Sequence, residues 1–280
     1  VTTRTAQRIV FADISSELAT LDHLIRTCLL LGGLSLLGFF VLSLLLTRQM
    51  VKPIERAWDQ QRQFVADASH ELKTPLTVIL TNAELLQSPD CGGEEKTRCA
   101  DSILTMSHQM RGLVEGLLDL ARVDNGTAKM AFEELNLSQL VDDAVLPFEP
   151  LYFEQGLTLD CQAEPGLRVK GSPSHLRQVV DVLLDNAQKY SAPQGTVTLE
   201  LKRQGNHCLL SVSSPGAPIS QADLKNIFKR FYRVDQARAM DHSYGLGLPI
   251  AQGIVEAHRG KIWAQSSQGR NTFFVQLPAA

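Results

Sequence analysis

Residues 28–46, CLLLGGLSLLGFFVLSLLL, contain no charged side chain. As an α-helix rising about 1.5 Å per residue, this run is about 28 Å long, close to the hydrocarbon thickness of a bilayer. A signal-peptide core or a buried soluble helix would share its composition. A signal core is usually shorter and lies at the very start of a chain. Here charged, helix-like sequence comes first, so a membrane-spanning helix is expected. Arg48, Lys52 and Arg56 follow the run, against Arg26 just before it. The positive-inside tendency then places everything after the run in the cytoplasm. Residues 1–27 are expected to end an extracytoplasmic region. The chain opens on Val1 rather than Met, and a missing upstream segment is expected.

The length of 280 residues allows one large or two small domains. Apolar residues at 44% and charged residues at 20% argue against general disorder. A net charge of −3 gives no sign of a nucleic-acid-binding surface. The five cysteines, Cys28, Cys91, Cys99, Cys161 and Cys208, are odd in number and widely spaced. Cys91 and Cys99 are too far apart for a CxxC zinc site, and reduced cytosolic thiols fit best.

Past the apolar run the pattern is helical. A new helix is expected near Pro53, since proline is tolerated in a first turn. Periodicity continues to about Leu86, with a bend expected near Thr74 because Pro75 removes a backbone donor. SPDCGGEE, 88–95, reads as a loop. Ile103, Met106, Met110, Leu113, Leu117 and Leu120 then form a heptad seam, broadened by Val114, Leu118 and Ala121. Gly126 is the expected stop. Two helices cannot bury faces this wide alone, and a symmetric dimer would complete a four-helix bundle.

From Ala131 the pattern is mixed. Segments 138–154 and 174–190 read as helices, the second with Ser174 as N-cap. Segments 158–162, 196–202, 208–213, 261–265 and 272–277 read as strands. Without regular βαβ alternation, this predicts an α+β sandwich, one sheet with helices on one face.

Four downstream stretches could carry chemistry. LLDNAQKYS, 183–191, puts Asn186, Lys189 and Tyr190 on neighbouring helix faces. Asn offers a neutral oxygen for a metal ion and Lys a point charge for phosphate. SVSSPGAPIS, 211–220, is a strand and a turn, and alone it reads as a plain Pro-Gly turn. IFKRFYRVDQAR, 227–238, mixes aromatic residues with Arg230, Arg233 and Arg238, suited either to clamp phosphate or to cap the core. SYGLGLPIAQGIVEAHRGKIWAQSS sets Gly245 and Gly247 just before a helix, where backbone N–H groups can approach a phosphate.

Each stretch is weak alone; their order, after FVADASHELKTPL at 64–76, is not. Together they resemble the sensor histidine kinases of bacterial two-component systems, from Phe64 to the C-terminus. FVADASHELKTPL resembles the H box, LLDNAQKYS the N box and IFKRFYRVDQAR the F box. VSSPGAPI stands where the first glycine box belongs, and YGLGLPIAQGIVEAHRGKIW resembles the second.

The resemblance implies an α+β chain in five parts: the end of an extracytoplasmic region (1–27), a transmembrane helix (28–46) and a signalling linker helix (47–62). A dimeric helical hairpin for dimerisation and phosphotransfer (63–128) follows, then an α/β-sandwich ATP-binding domain of the histidine kinase, gyrase and Hsp90 type (129–280). His70 would be the phosphoacceptor. Neutral imidazole is a competent nucleophile near pH 7. Glu71 would hold the other ring nitrogen, and Thr74 would help position water for dephosphorylating the partner's aspartate. Lys73 and Pro75 read as local surface and bend determinants. Asn186 would hold Mg²⁺. Lys189 would contact phosphate, Tyr190 would pack on adenine, and Arg233 or Arg238 would stabilise the γ-phosphate. Gly216 belongs to the first glycine box. Gly245 and Gly247 would let an ATP lid close. The implied cofactors are ATP and Mg²⁺. The implied partners are a response regulator's receiver domain, a second copy of the chain and the cell membrane, with no direct nucleic-acid contact.

The departures from the family pattern fall in the nucleotide boxes. Ser214 stands where an Asp accepts a bond from the adenine amine, and a hydroxyl lacks the charge that strengthens it. That loss is worth on the order of 1–2 kcal/mol, about tenfold in affinity. Pro218 replaces a glycine, Val182 an asparagine four residues before Asn186, and Ser243 the opening glycine of the second box. Ser214 motivates an alternative, a non-catalytic signalling scaffold with weakened ATP binding. The linker, 47–69, is shorter than a complete HAMP relay, which points to direct helical coupling.

Overall fold

The computed structural model describes residues 15–88, 91–124, 130–234 and 244–280. The chain divides into two compact units, Val1–Val65 and Ala66–Ala280. Helix α1, Ser15–Gln87, supplies the described part of the first unit and opens the second. Within it, Ala19–Gln49 is largely apolar, with Asp22, Arg26 and Arg48 toward its ends, and none of it is buried. Leu34 is 73% and Phe39 70% exposed. By length and composition this stretch can cross a membrane.

No helix begins at Pro53: α1 runs through both Pro53 and Pro75. A proline loses one backbone bond, but its fixed φ suits a helix and the turns on either side can carry it. The helix is continuous through Thr74, where the bend is expected. Thr74 Oγ1 donates to the His70 carbonyl at 3.5 Å and Thr77 Oγ1 to the Lys73 carbonyl at 2.9 Å. Such back-bonding recurs where helices accommodate strain.

Helix α2, Gly93–Asp124, starts inside the expected loop, with Glu94 and Glu95 in its first turn, where carboxylates favour the helix dipole. The expected stop at Gly126 lies outside the described residues. Of the heptad seam, Leu113 and Leu120 are buried, whereas Val114 and Leu118, which broaden it, are exposed, as is Leu104 beside it. Asn82 Nδ2 on α1 donates to Ser102 Oγ on α2 at 3.3 Å. Leu76, Leu80 and Leu85 of α1 are also exposed, so the hairpin keeps an apolar face uncovered.

The rest of the second unit is an α/β sandwich. Strands β1 (Glu133–Asn136) and β3 (Arg168–Gly171) form a small antiparallel pair. Strands β2 (Thr158–Ala163), β4 (Thr196–Gln204), β5 (His207–Pro215), β6 (Lys261–Ser267) and β7 (Arg270–Pro278) form one sheet ordered β2-β4-β5-β7-β6. Only β2–β4 is parallel. The five expected strands are these five; β1 and β3 were not expected. The expected helix 138–154 is two, α3 (Leu137–Val145) and α4 (Phe148–Glu154), separated at Pro147. Helix α5, Pro173–Tyr190, has Ser172 rather than Ser174 at its N-cap. A short α6 (Gln221–Leu224) and α7 (Gly247–Ala257) complete the domain. Helices α3, α5 and α7 pack on the sheet and on one another. Val179, Val180, Leu183 and Leu184 of α5 meet the inward rows Val197, Leu199, Leu201 and Val212 in the core.

His258 joins the two ends of this domain. Buried, it accepts the Ser172 N–H on Nε2 at 2.9 Å, and its Nδ1 lies 2.7 Å from the Ile254 carbonyl. That arrangement needs the neutral ring, with Nδ1 protonated. Burial holds its pKa below the ordinary 6.5, His175 lowers it further, and the Ile254 bond opposes both. Between the folded and unfolded pKa values the unfolded chain binds more protons, so this contribution is complete above pH 6.5 and declines as pH falls below it. Melting curves should show stability dropping from pH 7.5 to 5.5. His258→Gln should be less stable at pH 7.5 and flatter across that range; an unchanged slope would count against His258 as the source.

Candidate functional site

The buried positions of α5, Leu176, Val179, Val180, Leu183, Leu184 and Ala187, follow helical spacing. That stripe turns Asn186, Lys189 and Tyr190 away from the core and toward a cleft. One cavity, of about 380 Å³, is walled by Tyr190, Ser214, Ile219, Val234, Asn271 and Phe273. A neighbouring cavity of about 310 Å³ is lined by Lys189, Gly245 and Gly247 of the domain and by Gly112, Gly116 and Asp119 of α2. Asn186, Tyr190 and Arg233 line both cavities, so the three mark where the two spaces meet. Lys189 Nζ donates to Asp185 Oδ2 at 2.7 Å, which fixes the ammonium at the second cavity's edge.

Two glycines beside the cleft are sterically required. A Cβ on Gly216 would come within 2.7 Å of the Tyr190 carbonyl oxygen, so this residue lets the end of β5 approach the end of α5. Gly245 has φ +65°, and a Cβ there would lie 2.8 Å from the Tyr232 carbonyl oxygen. Phe231, itself at φ +59°, donates its N–H to the Gly245 carbonyl at 3.1 Å. Tyr232 Oη donates to Asp223 Oδ1 at 2.6 Å, and Ser220 caps the same turn. The Ser220 hydroxyl, which donates to Asp223 Oδ2 at 2.6 Å, and then the Tyr232 phenol hold the Asp223 carboxyl below the usual carboxylate range, and the bond to Asp223 pushes the Tyr232 phenol up. The two residues that precede Arg233 are thereby anchored. Arg238 and Ser243 lie outside the described residues.

His70 and Glu71 are exposed on α1, with Thr74 one turn on. None of the three lines either cavity. The domain nonetheless sits against the hairpin. Leu246 packs on Gly116, where a Cβ would fall 3.3 Å from Leu246 Cδ1, and Gln178 Nε2 donates to Asp119 Oδ2 at 2.9 Å. Burial raises the pKa of the Tyr244 phenol, and the negative charge of Glu71 raises it further. The edge of the cleft is therefore within electrostatic reach of the His70–Glu71 turn.

Sequence reading missed Asn271, Phe273, Gln178 and Asp119 as site residues. Asn271 left a signal: strand β7 alternates, and Asn271 shares the inward set with Phe273, Val275 and Leu277. An amide at an inward position of an amphipathic strand marks a buried polar requirement. Val182, in place of an asparagine, lies against Gly247 and fills the floor beneath the second glycine box.

Residues 60–126 match the family described as His Kinase A (phospho-acceptor) domain. Residues 171–280 match the family described as histidine kinase-, DNA gyrase B- and HSP90-like ATPase. The sensor protein DltS of Streptococcus agalactiae is 36% identical over 247 residues, covering 87% of this chain and 62% of that protein. The sensor histidine kinase CusS of Escherichia coli is 32% identical over 231 residues, covering 82% and 48%. The chain thus spans less than two thirds of the length of either relative. In fold it is similar to the Acinetobacter baumannii histidine kinase AdeS, with a TM-score of 0.59 and 22% identity over 75% of this chain and 97% of that one. It is equally similar to histidine kinase ThkA, solved in complex with the response regulator protein TrrA, with a TM-score of 0.59 and 20% identity over 83% and 67%. With both family models matched in order along the chain and sensor kinases among its relatives, this chain belongs to the sensor histidine kinases of two-component systems.

Proposed function

We propose that this protein is a membrane-bound kinase that phosphorylates its own His70 with Mg-ATP and passes the phosphoryl group to an aspartate of a response regulator. The observation that carries the reading is the cleft: Asn186, Tyr190 and Arg233 line a two-part cavity that opens on α2 of the hairpin bearing His70. The adenine end is the apolar cavity with Tyr190 on its wall, and Ser214 and Gly216 form the turn beneath it. The phosphate end is the second cavity, with Lys189, Gly245, Gly247 and Arg233; Arg238, the other arginine of the motif, lies outside the described residues.

A His70 ring nitrogen attacks the γ-phosphorus in line. The new N–P bond forms as the bond to the bridging oxygen breaks, and that electron pair leaves with ADP. Glu71 accepts the hydrogen bond of the other ring nitrogen and offsets the charge that grows on the ring. Asn186 fits a Mg²⁺ ion, which uses few protein oxygens and takes the rest from phosphates and water. Bound there, the ion would offset the charge of the transferring group. Arg233 and Lys189 orient the phosphates. Thr74, one turn from His70, would place the water that hydrolyses the regulator's phosphoaspartate, giving phosphatase activity.

Dimerisation follows from the uncovered apolar side chains of the hairpin, which a second copy would bury as a four-helix bundle. The 31-residue apolar stretch of α1 would anchor the dimer in the cell membrane, with the hairpin and ATP domain in the cytoplasm. A receiver domain docked on the hairpin would reach the phosphohistidine; ThkA, which is similar in fold, was solved in complex with a response regulator protein.

The test is incubation of the full chain in nanodiscs with γ-labelled ATP and Mg²⁺. Acid-labile, alkali-stable label on the chain supports the kinase. A folded dimer that binds nucleotide and never takes up label supports the scaffold reading that Ser214 motivated.

A further inference from the structure

We propose that Asn271 recognises the base of the nucleotide: its Oδ1 accepts the hydrogen bond of the adenine exocyclic amine. The inference rests on the nucleotide-binding reading of the cleft and names the group that selects the base.

Asn271 and Ser214 are direct partners in the β5–β7 ladder, and both line the 380 Å³ cavity. Asn271 is 6% and Ser214 4% exposed. The Asn271 amide has a fixed sense. Its Nδ2 donates to the Ala217 carbonyl at 2.9 Å, and turning the amide over would set Oδ1 against that carbonyl oxygen. Its Oδ1 is buried and has no hydrogen-bond partner among the described residues. A buried acceptor left unpaired is costly and uncommon, and in a cavity it calls for a donor from the occupant.

The walls define that occupant further. Tyr190, Ile219, Val234 and Phe273 offer apolar and aromatic surface suited to a flat ring. A flat ring whose edge carries an N–H donor meets both demands, and adenine with its exocyclic amine is such a ring. Guanine presents a carbonyl oxygen at the same place and would set acceptor against acceptor. The Ser214 hydroxyl, across the ladder from Asn271, can donate to the adjacent ring nitrogen.

This arrangement replaces a charged acceptor by a neutral one on the opposite strand. Neutral bonds are weaker than charge-assisted ones, so the amine should contribute to affinity without dominating it.

A ligand-and-protein double cycle tests this. Calorimetry on the full chain in nanodiscs would compare ADP with purine riboside diphosphate, which lacks only the amine, for wild type, Asn271→Ala and Asn271→Thr. Threonine keeps a hydroxyl donor for Ala217, so it remains a test if the alanine variant does not fold. Wild type should prefer ADP by about 5- to 10-fold, the size of one neutral hydrogen bond. The folded variants should bind both ligands within about twofold of each other. A variant that keeps the full preference for ADP overturns the assignment of Asn271 alone, as does a wild type with no preference. A wild type that binds neither ligand overturns the kinase reading and this inference with it.

Discussion

In the full chain, His70→Gln is expected to abolish label uptake from γ-labelled ATP, by more than about 10³-fold, without loss of fold or nucleotide affinity. The amide of glutamine has no nucleophilic lone pair to replace the imidazole nitrogen. The fold should not register the change. His70 is exposed, and in the described contacts it is the backbone carbonyl, not the ring, that is used, by Thr74. Exposed substitutions of this kind shift stability by about 0.5 kcal/mol or less. Neither cavity is lined by His70, so ADP affinity should stay within about twofold of wild type. Glu71→Gln should be intermediate, with a phosphorylation rate lower by about 10²-fold, as expected for removal of one positioned acid–base partner. Label on His70→Gln at the wild-type level would move the acceptor to another side chain. Acid-stable label would exclude a phosphohistidine altogether.

The organisation of the chain was legible because its signals are local. The uncharged run at 28–46, the heptad seam and the five longer strands each show their period within one short window. What was not legible depends on partners distant in sequence. Strands β1 and β3 have four residues each and pair only with one another, so neither carries a convincing period. The break between α3 and α4 turns on Pro147, in a segment whose apolar periodicity runs straight across it. Helix α1 went the other way: Pro53 looked like a start and was accommodated inside a helix. Asn186, Gly245 and Gly247, which line the cavities, were named from motif order. Asn271 shows in the sequence only as an inward amide of β7; its place at the cavity comes from the register that sets it opposite Ser214, 57 positions earlier in the chain. The bond between Gln178 and Asp119, which ties the domain to the hairpin, likewise joins residues with no shared local pattern.

The two glycines of YGLGL should behave differently when each is changed to alanine, although the motif treats them alike. At Gly245 the backbone is left-handed, φ +65°, and a Cβ would meet Tyr232 O at 2.8 Å, Phe231 C at 3.0 Å and Tyr232 N at 3.1 Å. All three are backbone atoms and cannot rotate away. Left-handed backbone costs alanine about 1–2 kcal/mol, and forcing an extra carbon into filled space adds about 1–3 kcal/mol. Relief would have to come from moving Tyr232, whose phenol is tied to Asp223, and with it Arg233 on the wall of both cavities. Gly245→Ala should therefore weaken ADP binding by more than about tenfold, equivalent to the 1.4 kcal/mol that separates decades of affinity. At Gly247 the nearest atom to a new Cβ is Val182 Cγ1 at 3.2 Å, a side chain rather than backbone, and φ is not positive. Gly247→Ala should change ADP affinity by no more than about threefold. Adding Val182→Ala to it should recover most of that loss, because the two sites share one contact and are therefore expected to be non-additive. Titrations of ADP into the four proteins would decide the matter. Equal losses at Gly245 and Gly247 would mean that the motif acts through chain flexibility at both positions, not through the close approach of Gly245 to Tyr232.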